Sequence, residues 1–185
     1  MIERGINSPR TSSMGRLFDA AAAILGICGQ ATYEGEPAIE LEAAAWRALD
    51  GKIARFPDDN VGYSTSGPSW LDGPDVLDQK ALFEALLEGI EAGAPADRLA
   101  LDFHVAVARS SARTATEICA REDIGTVALS GGVFMNRLLL QLLTRELKYA
   151  GLAVLVPHTV PVNDGCIAYG QAAVASARLA QIASQ

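Results

Sequence analysis

The sequence predicts an α/β fold in which helix dominates, and three observations carry that prediction. An apolar run, an amphipathic stretch and a second apolar run follow one another between Thr126 and Pro157, the order of a strand–helix–strand unit. Helical patterning recurs in four stretches before it, near residues 14–26, 37–49, 75–93 and 95–123. No segment repeats another and no low-complexity linker intervenes, so 185 residues form one domain of ordinary size or one lobe of a larger one. A chain of this length buries roughly 70% of its unfolded surface and needs no disulfide or metal staple.

The elements follow in chain order. Residues 1–10 are expected to be an irregular lead-in. Thr11, Ser12 or Ser13 can cap a helix through MGRLFDAAAAILG, which stops near Gly26. Leu17, Ala21, Ile24 and Leu25 share one face of it, while Gly15, Asp19 and Ala22 form a small stripe opposite. A glycine-containing turn in YEGEP then leads, through Pro37 near a helix start, to a second helix ending about Leu49. From Gly51 to Pro74 the runs KIARF, VGYST and PSWLD alternate with Asp, Asn, Gly and Pro, which predicts short strands joined by turns.

DVLDQKALFEALLEGIEAG predicts an amphipathic helix, and PADRLALDFHVAVARSSARTATEICARED a long one with alanine-rich packing positions. TVALS predicts a short buried strand, MNRLLLQLLTRELKYAG a helix closed by Gly151, and LAVLVP a second strand. A helical crossover between two strands makes the pair parallel. A last helix opens at Asn163 or Asp164. The chain thus divides into a helical segment 1–50, a short-strand insertion 51–75, and a segment 76–185 of helices plus the βαβ core.

Composition narrows the function. A net charge of −7 and a pI near 4.8 give a phosphate backbone no electrostatic reason to bind, which argues against nucleic acid as a partner. Cys28, Cys119 and Cys166 are odd in number and lack CxxC spacing, the usage of a reducing compartment. MIERGINSPRTSS has no apolar core of the kind a signal peptide needs, and no apolar run reaches membrane-spanning length. A soluble cytoplasmic protein without membrane partners is expected.

Few residues carry chemistry. In open α/β sheets ligands sit beyond the carboxyl ends of strands, beside helix N-termini. Gly131 and Gly132 of SGGVFMNR lie at such an end, where glycine admits close approach of a ligand to the backbone. Asn136, about a turn into the next helix, can bond a ribose or base. The same letters also spell an ordinary strand-to-helix turn with an asparagine on the helix surface. Asp164, in PVNDGCIAYG, suits a helix cap and equally a hard cation. Asp19 is unfavourable in mid-helix by propensity, yet a solvated face accommodates it, and Glu40 and Glu42 fit such a face still better. His104 and His158 stand far apart with no HxxxH or HxH spacing, so they form no self-contained metal site; a partly buried His104 and a loop His158 are expected. No nucleophile elbow or triad pattern is present.

Taken together, NSPRTSSMGRLFDAAAAILG, YEGEPAIELEAAA, LDFHVAVA, ALSGGVFMNRLLL and VPVNDGCIAYGQA resemble the C-terminal carbamoyltransferase domain of HypF, the nickel–iron hydrogenase maturation protein. They occur in family order from near residue 7 to near residue 175. The resemblance implies a lobe of the actin-like ATPase superfamily, related to RNase H-like folds, with 1–50 as a nucleotide-site segment. It implies adenine nucleotide bound in a cleft, as ATP or carbamoyl-adenylate, and transfer of the carbamoyl group to the C-terminal cysteine of HypE. By the motif match Asp19 and Glu40 contact ribose or nearby groups, with Gly35 at the turn between them. Gly131, Gly132 and Asn136 hold the nucleotide, and Asp164 ligates a divalent metal, Mg or Fe.

The sequence also departs from the family. The family's His-x-x-x-His metal pair, expected ahead of SSMGRLFDA, is not in this chain, and Cys166 stands where the family commonly shows glycine. About half of the transferase domain is expected here, with little activity of its own, the other lobe coming from a separate chain or segment. The face that lobe covers is expected to favour self-association. The tRNA threonylcarbamoyl-transferase relatives are the second match, and a non-catalytic nucleotide-binding or scaffold fragment is the alternative in function.

Overall fold

In the computed structural model, which describes residues 11–49 and 79–183 together with Arg4 and Ile6, helix α1 runs Met14–Ile24. The expected strands of 51–75, the start of the third helix before Gln79 and most of the lead-in lie outside the described residues. Ser13 occupies the N-cap of α1 but makes no side-chain cap bond; its own amide donates to Thr11 Oγ1 at 3.1 Å. The buried face of α1 differs from the expected one. Leu17, Phe18, Ala21 and Ala22 are buried while Ile24 is exposed, so Ala22 belongs to the core rather than to the Asp19 stripe.

Phe18 explains that rotation. Its ring meets Phe103 and His104 edge-on, each at a centroid distance of 5.1 Å. Burying a phenylalanine contributes about 1.5–3 kcal/mol, so the helix turns to bury it. Both partners lie on the long helix α4 (Ala96–Arg121), and α1 also packs against α2 (Glu36–Ala48) and α3 (Gln79–Glu91). Ala21, Ala22, Ala44 and Ala45 are fully buried, and such small side chains let α1 and α2 approach closely. At the rim the Arg47 guanidinium holds Asp97 through two bonds of 3.0 and 2.8 Å, tying α2 to the start of α4. The Asp97 carboxylate keeps the Arg47 pKa above its usual value.

His104 is fully buried rather than partly so. Its Nδ1–H donates to the Ala100 carbonyl at 2.7 Å, and burial pushes its pKa down to about 4. The ring is therefore neutral near pH 7 and belongs to the core.

Helices α1 to α3 and α4 as far as Ser110 belong to one compact unit, residues 1–110, and a second unit covers residues 111–185. In the second, β1 (Thr126–Ala128) pairs in parallel with β2 (Ala153–Leu155), Val127 opposite Val154, as the crossover predicted. Between them lies α5 (Arg137–Tyr149), which packs on β2 and buries Leu138, Leu139, Leu142, Leu143 and Leu147. Gly151, at φ +80°, closes α5 as expected. The strands are less buried than their apolar text predicted. Val127 and Val154 are half-buried, but Thr126, Ala128, Ala153 and Leu155 are exposed. Alternate strand residues face opposite ways, and α5 supplies cover on one of them. Helix α6 (Ile167–Ala183) ends the described chain and is exposed from Ile167 to Ile182. No helix of the described residues is long and apolar enough to cross a membrane.

Candidate functional site

The second unit builds a site at the carboxyl ends of its two strands. After β1, Leu129 is buried and extends the pairing through its amide to the Leu155 carbonyl at 2.9 Å. Gly131 then adopts φ +116° and ψ +156°, a region closed to side chains bearing a Cβ. Its N–H donates to the Val162 carbonyl at 2.7 Å, and its own carbonyl accepts from Phe134 N at 3.0 Å. That second bond opens a short 3-10 turn, Gly132–Met135, where the sequence pattern placed the first residue of a helix.

Asn136 consequently sits one position before α5 rather than a turn inside it. Its Oδ1 accepts from Leu139 N at 2.8 Å, making it the N-cap, and the residue is buried. Such a cap contributes about 1 kcal/mol. The side chain's acceptor is thus committed to the helix.

The loop after β2 lies alongside. Asn163, not Asp164, takes the capping position: its Oδ1 accepts from Gly165 N at 3.1 Å. A Cβ placed on Gly132 would come 4.0 Å from the Asn163 Cβ, an ordinary contact. The two residues of the glycine pair therefore differ. Backbone conformation requires glycine at 131, whereas the fold leaves room for alanine at 132. Asp164 is exposed, and no hydrogen bond or ion pair among the described residues engages its carboxylate. An exposed glycine backbone thus stands beside a turn that carries an exposed carboxylate.

Asp19, Gly35 and Glu40 belong to the first unit. The Asp19 carboxylate pairs with Arg16 Nη1 at 2.9 Å, three residues back on α1. Gly35, at φ +85°, is the N-cap of α2, a left-handed conformation that glycine adopts without strain. Glu40 is exposed on α2 and adds, after Asp97, to the field that raises the Arg47 pKa. Glu42 accepts from Trp46 Nε1 at 3.2 Å, the structural role open to it.

Sequence reading overlooked Glu36. It reaches back to the Thr32 amide and, at 2.9 Å, to the Thr32 hydroxyl, and those bonds hold its carboxyl below the usual range. The motif T-x-x-x-E at a helix start was the available signal, a variant of the reciprocal capping pattern. The clasp fixes the turn that carries Gly35.

Asp164 is the single metal-ligand candidate of the sequence, and the structure adds no companions. Among the described residues no three His, Cys, Asp or Glu side chains gather as a metal site would require. A divalent cation takes several oxygen donors, so these residues alone do not fit one.

A family model described as "Carbamoyltransferase, Kae1-like Domain, second subdomain" matches residues 1–171. The chain belongs to the HypF carbamoyltransferase family. A carbamoyltransferase HypF homolog of Cupriavidus necator is 40% identical over 179 residues, which are 95% of this chain and 43% of that protein. Carbamoyltransferase HypF of Rhodobacter capsulatus is 38% identical over 177 residues, 95% of this chain and 21% of that protein. A crystal structure of full-length HypF in its phosphate- and nucleotide-bound form superposes with a TM-score of 0.76 at 31% identity, covering 96% of this chain and 22% of that one. This chain therefore spans less than half of each HypF relative, and its fold is that of a helix-rich α/β lobe of the actin-like type.

Proposed function

We propose that this chain is the nucleotide-gripping second half of a HypF-type carbamoyl transfer site. Its substrate is carbamoyl-adenylate and its acceptor the C-terminal cysteine thiol of HypE. The observation that carries the reading is the glycine at 132. Its backbone conformation and its surroundings accept a larger residue, so a ligand pressed against the bare backbone accounts for it. The phosphate- and nucleotide-bound state of the full-length HypF neighbour supports that choice of ligand.

In this reading the loop Gly131–Gly132 faces the phosphate and ribose, and Asn136 holds the loop in shape through its cap on α5. Asp19 and Glu40 offer carboxylates to ribose hydroxyls, with Gly35 setting the turn between α1 and α2. The thiol sulfur attacks the carbamoyl carbon, a C–S bond forms, the C–O bond to the adenylate phosphate breaks, and AMP leaves as the thiol proton is lost. The described residues gather no complete set of metal donors, so in this reading turnover needs the rest of the domain. A divalent metal, Mg or Fe, would supply charge neutralisation once the rest of the domain adds donors, and Asp164 would be this chain's contribution.

Calorimetric titration with ATP tests the assignment. Gly132→Ala should keep the wild-type melting temperature and weaken binding at least tenfold, and Asp19→Ala should weaken it less. Equal heats for wild type and both variants would remove these residues from the site. Carbamoyl transfer to a HypE C-terminal peptide by this chain alone should be undetectable. Measurable turnover would show that the described half suffices.

A further inference from the structure

We infer that Asp164–Gly165 is a self-modifying bond of this chain, where a succinimide and then an isoaspartate form, and that the Asn163 side chain holds the rate down. Asp164 is exposed, and no hydrogen bond or ion pair among the described residues engages its carboxylate. Gly165 is exposed as well and has no side chain to shield its nitrogen. It is the one Asp–Gly pair among the described residues, since Asp50–Gly51 and Asp72–Gly73 lie outside them. The step balances within the chain and water. The Gly165 nitrogen bonds to the Asp164 Cγ and gives up its proton, a carboxyl oxygen leaves as water, and a cyclic imide closes. One water then reopens it. Cleavage at Cγ restores aspartate, whereas cleavage at the backbone carbonyl leaves isoaspartate, whose main chain runs through Cβ and whose carboxylate sits on Cα.

The turn opposes ring closure at two points. Gly165 N–H donates to Asn163 Oδ1 at 3.1 Å, and Cys166 N–H donates to the Asn163 carbonyl at 3.2 Å. An amide held in this way keeps its proton. Closure also needs rotation about the Asp164 Cα–C bond, which swings the Gly165 nitrogen toward Cγ and breaks both bonds. The reaction therefore runs through the opened turn, and its rate follows how often the turn opens. The cap and the hazard have one origin. A Cβ on Gly165 would stand 3.1 Å from Asn163 Oδ1, so the close cap favours glycine at 165, and glycine is the residue that bares the nitrogen. Asn163 offsets the exposure that its own capping geometry creates. Isomerisation would move the carboxylate of this chain's one metal-donor candidate onto the backbone. The inference itself stands on the turn and is independent of metal or nucleotide binding.

Ageing the intact chain at mildly acidic pH, under reductant and at a temperature where circular dichroism shows every variant folded, tests it. Isoaspartate is counted by methyl transfer from S-adenosylmethionine with an isoaspartyl methyltransferase and located by electron-transfer fragmentation of the tryptic fragment 149–178. Wild type should form it at residue 164 more slowly than a free peptide of residues 161–170 does. Losing an N-cap acceptor of ordinary strength opens a turn about fivefold more often, so Asn163→Ala should raise the rate by that factor. Asn163→Ser, whose hydroxyl also caps, should stay close to wild type. Equal rates in wild type and the free peptide would overturn the inference. So would equal rates in wild type and Asn163→Ala, or a serine variant as fast as the alanine one. Isoaspartate found at 164 in none of the chains would remove the modification site altogether.

Discussion

Helices α5 and α6 each follow a strand of the same parallel pair, yet among the described residues one is covered on a face and the other is not. On α5 five leucines fall on one side, and each is 5% exposed or less. On α6 the large apolar side chains span roughly 220° about the axis and are all more than half exposed. The difference teaches what periodicity reports. A stripe says that a helix has a core on one side and water on the other, and α5 finds that core on β2. Helix α6 has no such cover among the described residues.

The comparison breaks most easily at Leu147, fully buried on α5. Leu147→Ala is expected to cost about 2–5 kcal/mol in urea denaturation, the range for a leucine removed from a packed core. A loss below 1 kcal/mol would mean that α5 is no better anchored than α6. His104 sharpens the contrast from the first unit, because α4 has buried a titratable ring completely. The unfolded imidazole takes its proton near pH 6.5, and the folded one resists until about pH 4. Between those values the unfolded state binds more protons, so stability falls as pH drops, by up to about 3 kcal/mol across the window. Denaturation midpoints measured from pH 7 to pH 4 should show that slope, and His104→Leu should flatten it. Unchanged slopes in the two proteins would show that the ring is not buried neutral. The smallest effect belongs to α6: Leu179→Ala should change the stability of the isolated chain by no more than about 0.5 kcal/mol. A cost above 2 kcal/mol would show that α6 already has a partner.

Much of this architecture was legible in the sequence because local physics decided it. Gly35 and Gly151 punctuate helices in left-handed conformations, Pro37 sits at the start of α2, and the crossover fixed the parallel pairing of β1 with β2. What escaped was decided by tertiary contact. Nothing within α1 shows that Phe18 meets rings on α4, and that meeting turned Ala22 inward and left Ile24 outside. The strands looked buried because apolar text does not state how many neighbours will cover them.

At the candidate site the glycine pair, Asn136 and Asp164 stood out as chemistry-bearing letters, but their division of labour did not. Asn136 and Asn163 turned out to cap backbone, Asp164 was left with an exposed carboxylate, and only one of the two glycines is required by conformation. The geometry of short-range bonds, Asn136 to Leu139 and Asn163 to Gly165, sorts such roles, and a linear pattern does not state it.

The bond from the Gly131 amide to the Val162 carbonyl has a mechanical consequence. It ties together two loops that the chain reaches at widely separated points, and such a bond contributes about 1 kcal/mol toward holding them side by side. A substitution at Pro161 would then be felt at Gly131, and a molecule pressing on the glycines would shift the turn bearing Asp164.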